Sequence, residues 1–588
     1  MRIFGTFLPP DVNMNTSSYQ KGSSRGIYGA GVATQQFMTS LLRYGNFNEY
    51  HLFDPNRYTR SKDGEAEELF GFIESDARLK LFLATEFEEA LQKNDYLAFH
   101  RPRGPYIAPM IYLRNQLITK NIPITGVTHT ISYHGQLIDF LTFLLIDARP
   151  WDSIVCLEEP ARRVMKNHFT HLQTRFSEHF GVDLKYEGRL DSIPLGVDTQ
   201  TYRQRDKQAL RQQFGFPRDK VILLWVGRFS HYDKMDLQPL LLAFKAALEK
   251  CSKNEALLVL AGDDSRHNYA EKVTEFAMQL GIEKHLITLT DRPRIDFPLL
   301  YSAADIFVSP SDNIQETFGQ TVLEGMSSGL PVVCSDWEGY SVSVLHGKTG
   351  FRIPTYWMEC DGAICDYAPI SPWLFNQFYL SQSICFDVQQ MTEALFLLIE
   401  HDELRSKMGG QARQHVLDTY DWKIIIHRYI ELWEELSQIA SCHPVPARRF
   451  PSWFRPQYFK TFEHYATATL QPTTKVRITD SEVVSFPGDA PDPWYEELNT
   501  KLAPELLNVL LSLSNDWITI TELEDNLSGY MNISTDKFRY HLLWLLKYQL
   551  LTLNVDTVGQ EARELATAFT IFDDATDFGS DIRKIHKT

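Results

Sequence analysis

Short apolar runs and amphipathic stretches alternate along the first 198 residues. The runs "RIFGTFL", "EYHLF", "LKLFLA", "DYLAFH", "IPITGVTHT" and "DSIVCL" predict strands, and "VATQQFMTSLLRYG" and "PARRVMKNHFTHLQTRF" predict helices between them. Strands that take turns with helices pair in parallel, so this part reads as a doubly wound sheet. At "IPLGVDTQ" (193–200) and the polar "YRQRDKQALRQQFGFPRDK" the composition changes, which marks a connection between domains. The alternation restarts at Val221 with "VILLWVGRF", "DLQPLLLAFKAALEKC", "ALLVLAGDD" and "NYAEKVTEFAMQLGI", then "LITLT", "DIFVSPS" and "LPVVCSD". A second α/β domain is therefore expected over 199–442. Open sheets of this kind collect ligands at the carboxyl ends of their strands, so a cleft between the two is the place for chemistry.

The rest of the chain departs from that rhythm. Residues 356–386, "YWMECDGAICDYAPISPWLFNQFYLSQSICF", read as an insertion, and three helices follow it, ending in "WKIIIHRYIELWEELSQIA". Residues 443–492, rich in Pro and aromatic residues at their start, read as a linker. Residues 493–556 predict three helices and a strand, a winged-helix-like α+β module, and 557–588 form an acidic tail.

Composition narrows the function classes. With 44% hydrophobic and 23% charged residues, the 588-residue chain has the profile of a folded, multidomain protein. A net charge of −17 argues against a nucleic-acid binder, and the same acidity offsets Lys537, Arg539 and Lys547 in the C-terminal module. Seven cysteines at irregular spacing predict reduced thiols and a cytosolic setting. Cys360 and Cys365 lack a second ligand pair, so no metal site is expected. No apolar run reaches the 18 or so residues of a membrane span, because "QLIDFLTFLLIDARP" is broken by Asp139 and Asp147. "MRIFGTFLPP" enters a strand without the pattern of a signal peptide.

Candidate chemistry centres on "SDNIQETFGQTVLEGMSSGLPVV", where Glu316 precedes Glu324 by eight positions. A helix starting near Thr317 would aim the free N–H groups of Thr317, Phe318 and Gly319 into the cleft, where they can bind an anion or sugar oxygens. Helical rise puts the two glutamate backbones about 12 Å apart. That exceeds the roughly 5–9.5 Å of a glycosidase carboxylate pair and suits a longer ligand with hydroxyls at both ends and a diphosphate between them. Arg228 and Lys234, after the strand "VILLWVGRF", supply cations for that diphosphate. Gly29 and Gly31 in "RGIYGAGVATQQF" precede the first helix on the opposite wall; either they approach a phosphate or they form a tight turn. "GAGVAT" lacks the third glycine of a dinucleotide fingerprint and lies far from the first strand, so no NAD cofactor is expected.

"VGRF…K", "ETFGQTVLEGMSSGLPVV", "GKTGF" at 347–351, "IPLGVD" and "YDW" ending at Trp422 together resemble the retaining GT-B glycosyltransferases of the GT4-like group, over roughly residues 1–440. The resemblance implies a GT-B fold, a UDP- or GDP-sugar as donor substrate, no cofactor and no metal. It implies that Glu324 holds the donor ribose, that Glu316 with Thr317, Phe318 and Gly319 holds the donor sugar, and that Arg228 and Lys234 stabilise the leaving diphosphate. His129 in "GVTHTIS" matches the family histidine near the transferred sugar. The acceptor (small molecule, glycan, lipid or peptide) is left open. The chain departs from the pattern at "DWEGYSVSV", where Val342 stands in place of the family's glutamate, and after "IVCL", where a serine is missing. The C-terminal module resembles small recognition domains that deliver peptides to modifying enzymes, which implies a protein or peptide partner. The alternative is an inactive GT-B scaffold acting through that module.

Overall fold

The structure is a computed structural model. It describes residues 2–8, 29–54, 76–117, 120–252, 256–290, 296–445, 453–479, 495, 498–499 and 501–554. The chain divides into two compact units at Phe454/Arg455. The predicted tail 557–588 lies outside the described residues.

The larger unit holds two parallel sheets. The first has the order β3-β2-β1-β4-β5-β6-β7, with β1 at Ile3–Phe7, β2 at Glu49–Asp54, β3 at Leu79–Leu83, β4 at Tyr96–Arg101, β5 at Ile124–Val127, β6 at Ser153–Cys156 and β7 at Arg189–Ser192. The second has the order β10-β9-β8-β11-β12-β13, with β8 at Val221–Val226, β9 at Ala256–Ala261, β10 at Leu286–Leu289, β11 at Ile306–Ser309, β12 at Val332–Ser335 and β13 at Gly350–Ile353. Helices cover both faces of such a sheet, which is why β9, "ALLVLA", is buried at every position. This is the α/β architecture expected from the alternation. In each sheet the order reverses beside the first strand, between β1 and β4 and between β8 and β11, and loops leaving those strand ends diverge to open a crevice.

Two features correct the expected boundaries. The helix Trp422–Ser441, placed by sequence in the second domain, packs on the first. Trp433 is fully buried with its ring centroid 5.1 Å from that of Phe4, and its Nε1 donates to Thr125 Oγ1 at 3.1 Å. Tyr429 meets Phe37 edge-on at 5.0 Å. The helix carries apolar residues on a broad face, and periodicity alone does not say which lobe takes it. The second correction concerns the stretch read as a linker. Following the short strands β14 (Thr355–Tyr356) and β15 (Cys385–Phe386), its segment Lys475–Ile478 is strand β16, central in an antiparallel sheet of order β17-β16-β18 with β17 at Ile518–Thr519 and β18 at Leu551–Leu553. Only Val476 of β16 is fully buried, so the segment carries almost no hydrophobic signal.

In the smaller unit this sheet accompanies the helices Pro504–Leu513, Ile520–Ser528 and Thr535–Lys547. Leu506, Leu507, Leu510, Leu523, Phe538, Leu542 and Leu545 form their shared core. Thr519 caps the second helix in a reciprocal box with Glu522.

The segment read as an insertion is pinched off by an antiparallel pair, Thr355↔Phe386 and Tyr356↔Cys385. Between these strands lie the helices Gly362–Tyr367 and Trp373–Ser381. All seven cysteines are free thiols. Among the described residues no helix is long and apolar enough to cross a membrane.

Because Trp433 joins the last helix of the larger unit to the first sheet, Trp433→Ala is expected to cost about 3–5 kcal/mol. The shift in the urea midpoint of that unit checks this; a midpoint within error of the wild type would show that the helix is not held through this side chain.

Candidate active site

The carboxyl ends of the two sheets enclose a cavity of about 640 Å³. Eight of the ten residues expected from sequence line it: His129, Arg228, Lys234, Glu316, Thr317, Phe318, Gly319 and Glu324. Gly31 does not, and Gly29 is described by its backbone alone. They belong to the first turn of the helix Gly29–Tyr44 instead of preceding it, and Val32 and Ala33 of that helix reach the cavity. A Cβ at Gly31 would meet nothing within 4 Å, so packing within the chain does not demand glycine there.

The floor of the cavity is backbone. β8 and β9 end in Gly227 and Gly262, and a Cβ on Gly262 would lie 1.5 Å from the Gly227 carbonyl oxygen. Only hydrogen fits, so the two strand ends stay close together and present main chain to the cavity.

Arg228 and Lys234 leave β8 on one loop, and each meets a carboxylate. Arg228 Nη1 donates to Asp233 Oδ2 at 2.9 Å. Ser230 Oγ donates to the other oxygen, Oδ1, at 2.6 Å. Burial pushes the Asp233 carboxyl up, but the Arg228 charge and these hydrogen bonds outweigh it, so the group sits below the usual carboxylate range. Lys234 Nζ forms an ion pair with Glu316 Oε2, and both side chains are largely buried. Buried charges of this kind need partners, because an unpaired one loses its hydration without compensation.

Glu316 sits in a loop that Asn313 holds in shape. Asn313 Nδ2 donates to Tyr232 O at 2.9 Å, its Oδ1 accepts from Gln315 N at 2.9 Å, and its carbonyl accepts from Glu316 N at 3.1 Å. The helix after this loop runs Gln320–Ser327, three residues later than expected. Gly319 has φ 88°, a left-handed conformation that interrupts helical geometry, and a Cβ there would strike the Tyr340 ring at 2.1 Å. Thr317, Phe318 and Gly319 therefore precede the helix, and its own first turn adds Gln320 and Thr321 to the cavity wall. The helical-rise spacing of the two glutamates applies only from Gln320 onward. Glu324, on that helix, is buried and accepts from Tyr301 Oη at 2.9 Å. Burial and the Glu324 charge raise the Tyr301 hydroxyl far above its ordinary value, which keeps it a donor.

His129 stands at the end of β5 on the first lobe. Its Nε2 lies 3.1 Å from the Pro102 carbonyl, so Nε2 carries the proton and Nδ1 the lone pair. Burial, opposed in part by that hydrogen bond, pulls its pKa down to about 4, and the ring is neutral at physiological pH. The loop beyond it is laced to the other lobe. Thr317 Oγ1 donates to His129 O at 2.7 Å, Gln315 Nε2 donates to Thr130 Oγ1 at 3.0 Å, and Ser132 Oγ donates to Gln315 Oε1. Among the described residues no cluster of three or more His, Cys, Asp or Glu is arranged to hold a metal.

Residues 206–364, which contain every second-lobe residue so far placed at the cavity, match the family model described as Glycosyl transferases group 1. The D-inositol 3-phosphate glycosyltransferase of Corynebacterium glutamicum (strain R) is 26% identical over 238 residues, 40% of this chain and 49% of that protein. The Nocardia farcinica (strain IFM 10152) protein of the same name is 30% identical over 194 residues, 32% of this chain and 41% of the relative. The chain thus spans about half or less of the length of these curated relatives. Of solved structures, Anabaena Alr3699/HepE in complex with UDP aligns at 15% identity and a TM-score of 0.49, over 74% of this chain and 100% of that one.

Sequence spacing pointed to the cavity's charged residues but missed those that hold them, Asp233, Asn313 and Tyr301, and missed Glu338, buried beside Glu316. Glu338 falls within "DWEGYSVSV", adopts φ 44° and has a buried Oε2 with no hydrogen-bond partner among the described residues. Burial and then the nearby Glu316 charge raise its carboxyl to about 7. The departure of "DWEGYSVSV" from the family pattern, at Val342, was visible in sequence; the burial of Glu338 beside Glu316 was not.

A carboxyl raised on folding keeps its proton in the native state while the unfolded chain releases it. Glu338 therefore withdraws stability as pH rises from its ordinary 4.5 to about 7. Glu158, also raised to about 7 by burial, acts in the same direction. Glu338→Gln is expected to flatten, without abolishing, the fall in melting temperature across that window. An unchanged slope in a pH series of thermal melts would show that Glu338 ionises normally in the folded chain.

Proposed function

We propose that this protein is a retaining glycosyltransferase that moves a sugar from a nucleotide-diphosphate donor, UDP- or GDP-linked, to an acceptor hydroxyl. The observation that carries this reading is the gathering of Arg228, Lys234, Glu316 and Glu324 around one cavity at the ends of two parallel sheets. The match of 206–364 to the glycosyl transferases group 1 model supports it.

In this reading the diphosphate lies against Arg228 and Lys234, Glu324 accepts from the ribose hydroxyls, and Glu316 with the main chain of Thr317, Phe318 and Gly319 holds the sugar. The two cations are already compensated by Asp233 and Glu316. An incoming diphosphate competes for charges that are held in place, so little reorganisation accompanies the build-up of negative charge on the leaving group. The bond from the anomeric carbon to the phosphate oxygen breaks as the acceptor oxygen attacks from the same side. The acceptor proton passes to the departing phosphate oxygen. Neutral His129 positions the sugar and does not act as an acid. The smaller unit serves as a docking module for a peptide or protein, and the cytosol is the compartment that fits the free thiols.

Calorimetry with UDP, GDP and ADP tests the donor site. One of them is expected to bind the wild-type chain, with Glu324→Ala weakening it at least tenfold. Lys234→Ala is expected to lower kcat by roughly 10²–10³-fold, the usual loss when one preorganised stabiliser of transition-state charge is removed. Absence of binding by all three nucleotides would favour the inactive scaffold. Because His129 titrates near 4, the pH–rate profile is expected to show no His129 limb between pH 5 and 8; a limb near 6.5 that disappears in His129→Gln would contradict its neutral role.

A further inference from the structure

The insertion between Tyr356 and Phe386 supplies none of the residues assigned above to the donor, yet one of its side chains, Trp373, lines the same cavity. The helix that carries it, Trp373–Ser381, belongs to the second lobe and reaches the first. The Trp373 ring lies 4.5 Å from the Tyr133 ring, and Gln377 Nε2 donates to Ser132 O at 3.2 Å. On its other side Phe378 packs on Tyr232, at 5.2 Å, in the loop between Arg228 and Lys234. The aromatic wall is thus held from both lobes, and its indole remains 39% exposed.

Its chemistry is distinctive. Residues 356–386 contain no Lys or Arg but do contain Glu359, Asp361 and Asp366. These carboxylates are not among the residues lining the cavity, which carries Arg103 on the first lobe, and they disfavour anionic groups where a ligand passes over the insertion itself. Outside the cavity, Tyr356, Trp357 and Tyr379 are each about half exposed, at 53%, 48% and 53%. Aromatic faces beside amides and carboxylates suit a ring with an apolar C–H face and a rim of hydroxyls: the rings take up the face, and the polar groups accept from the rim.

We propose that the insertion builds the acceptor subsite and that the acceptor presents an uncharged sugar ring, stacked on Trp373 beside Tyr133. This rests on the glycosyltransferase reading of the cavity and goes further by assigning the acceptor class. The exposed aromatic residues outside the cavity extend the contact to further sugars of the same glycan.

An array of neutral oligosaccharides, probed with the full chain in the presence of UDP or whichever nucleotide calorimetry selects, tests the assignment. The wild type is expected to retain one or more neutral glycans, and the retained glycan to be glycosylated by the matching nucleotide sugar. Trp373→Ala is expected to raise KM for that glycan at least tenfold while leaving the nucleotide Kd unchanged, and Trp373→Phe to recover most of the loss. Nucleotide binding with no neutral glycan retained, transfer to D-inositol 3-phosphate alone, or an acceptor KM unmoved in Trp373→Ala would each overturn the assignment and leave the donor site standing. Loss of nucleotide binding in the wild type would remove both.

Discussion

The ion pair between Lys234 and Glu316 joins the loop after β8 to the loop after β11, on either side of the point where the second sheet reverses its strand order. Both charges are largely withdrawn from water, and neither is tolerable there without the other. Most of the cavity's second-lobe wall follows from that constraint. Lys234 is carried on the same short loop as Arg228 and Asp233, and Glu316 on the loop that Asn313 folds back on itself. A ligand that displaces this pairing has to offer equivalent charge or hydroxyl groups to both residues, which restricts what can occupy the centre.

The lobes meet through hydrogen bonds more than through apolar contact at the cavity. Thr317, Gln315 and Ser132 make bonds, the first of them buried, that hold the two halves in register at the cavity. Away from the cavity, Trp422–Ser441 lays Trp433 and Tyr429 on the aromatic core of the first sheet.

Much of this was legible in the chain. Buried parallel strands write themselves as unbroken apolar runs, so β8 and β9 could be read directly, and the spacing of Glu316, Glu324, Arg228 and Lys234 pointed to one site. Elements without such runs escaped. β7, "RLDS", is half-buried and mostly polar, and β16 offers a single core residue. The late start of the Gln320 helix depends on the φ of Gly319 and on the Tyr340 ring beneath it, neither of which local pattern records. Asp233, Tyr301 and Glu338 act through tertiary neighbours. Sequence distance carries no trace of Tyr301 reaching Glu324 from another helix.

The return of Trp422–Ser441 to the first sheet also redraws where the protein can be divided. Its two lobes are not two consecutive lengths of chain, since the first is completed only by the last helix of the second. Any hybrid that borrows its second half from a related protein must change over near Asp421 and not after Ser441, or the recipient half would face a foreign helix across Phe4 and Phe37.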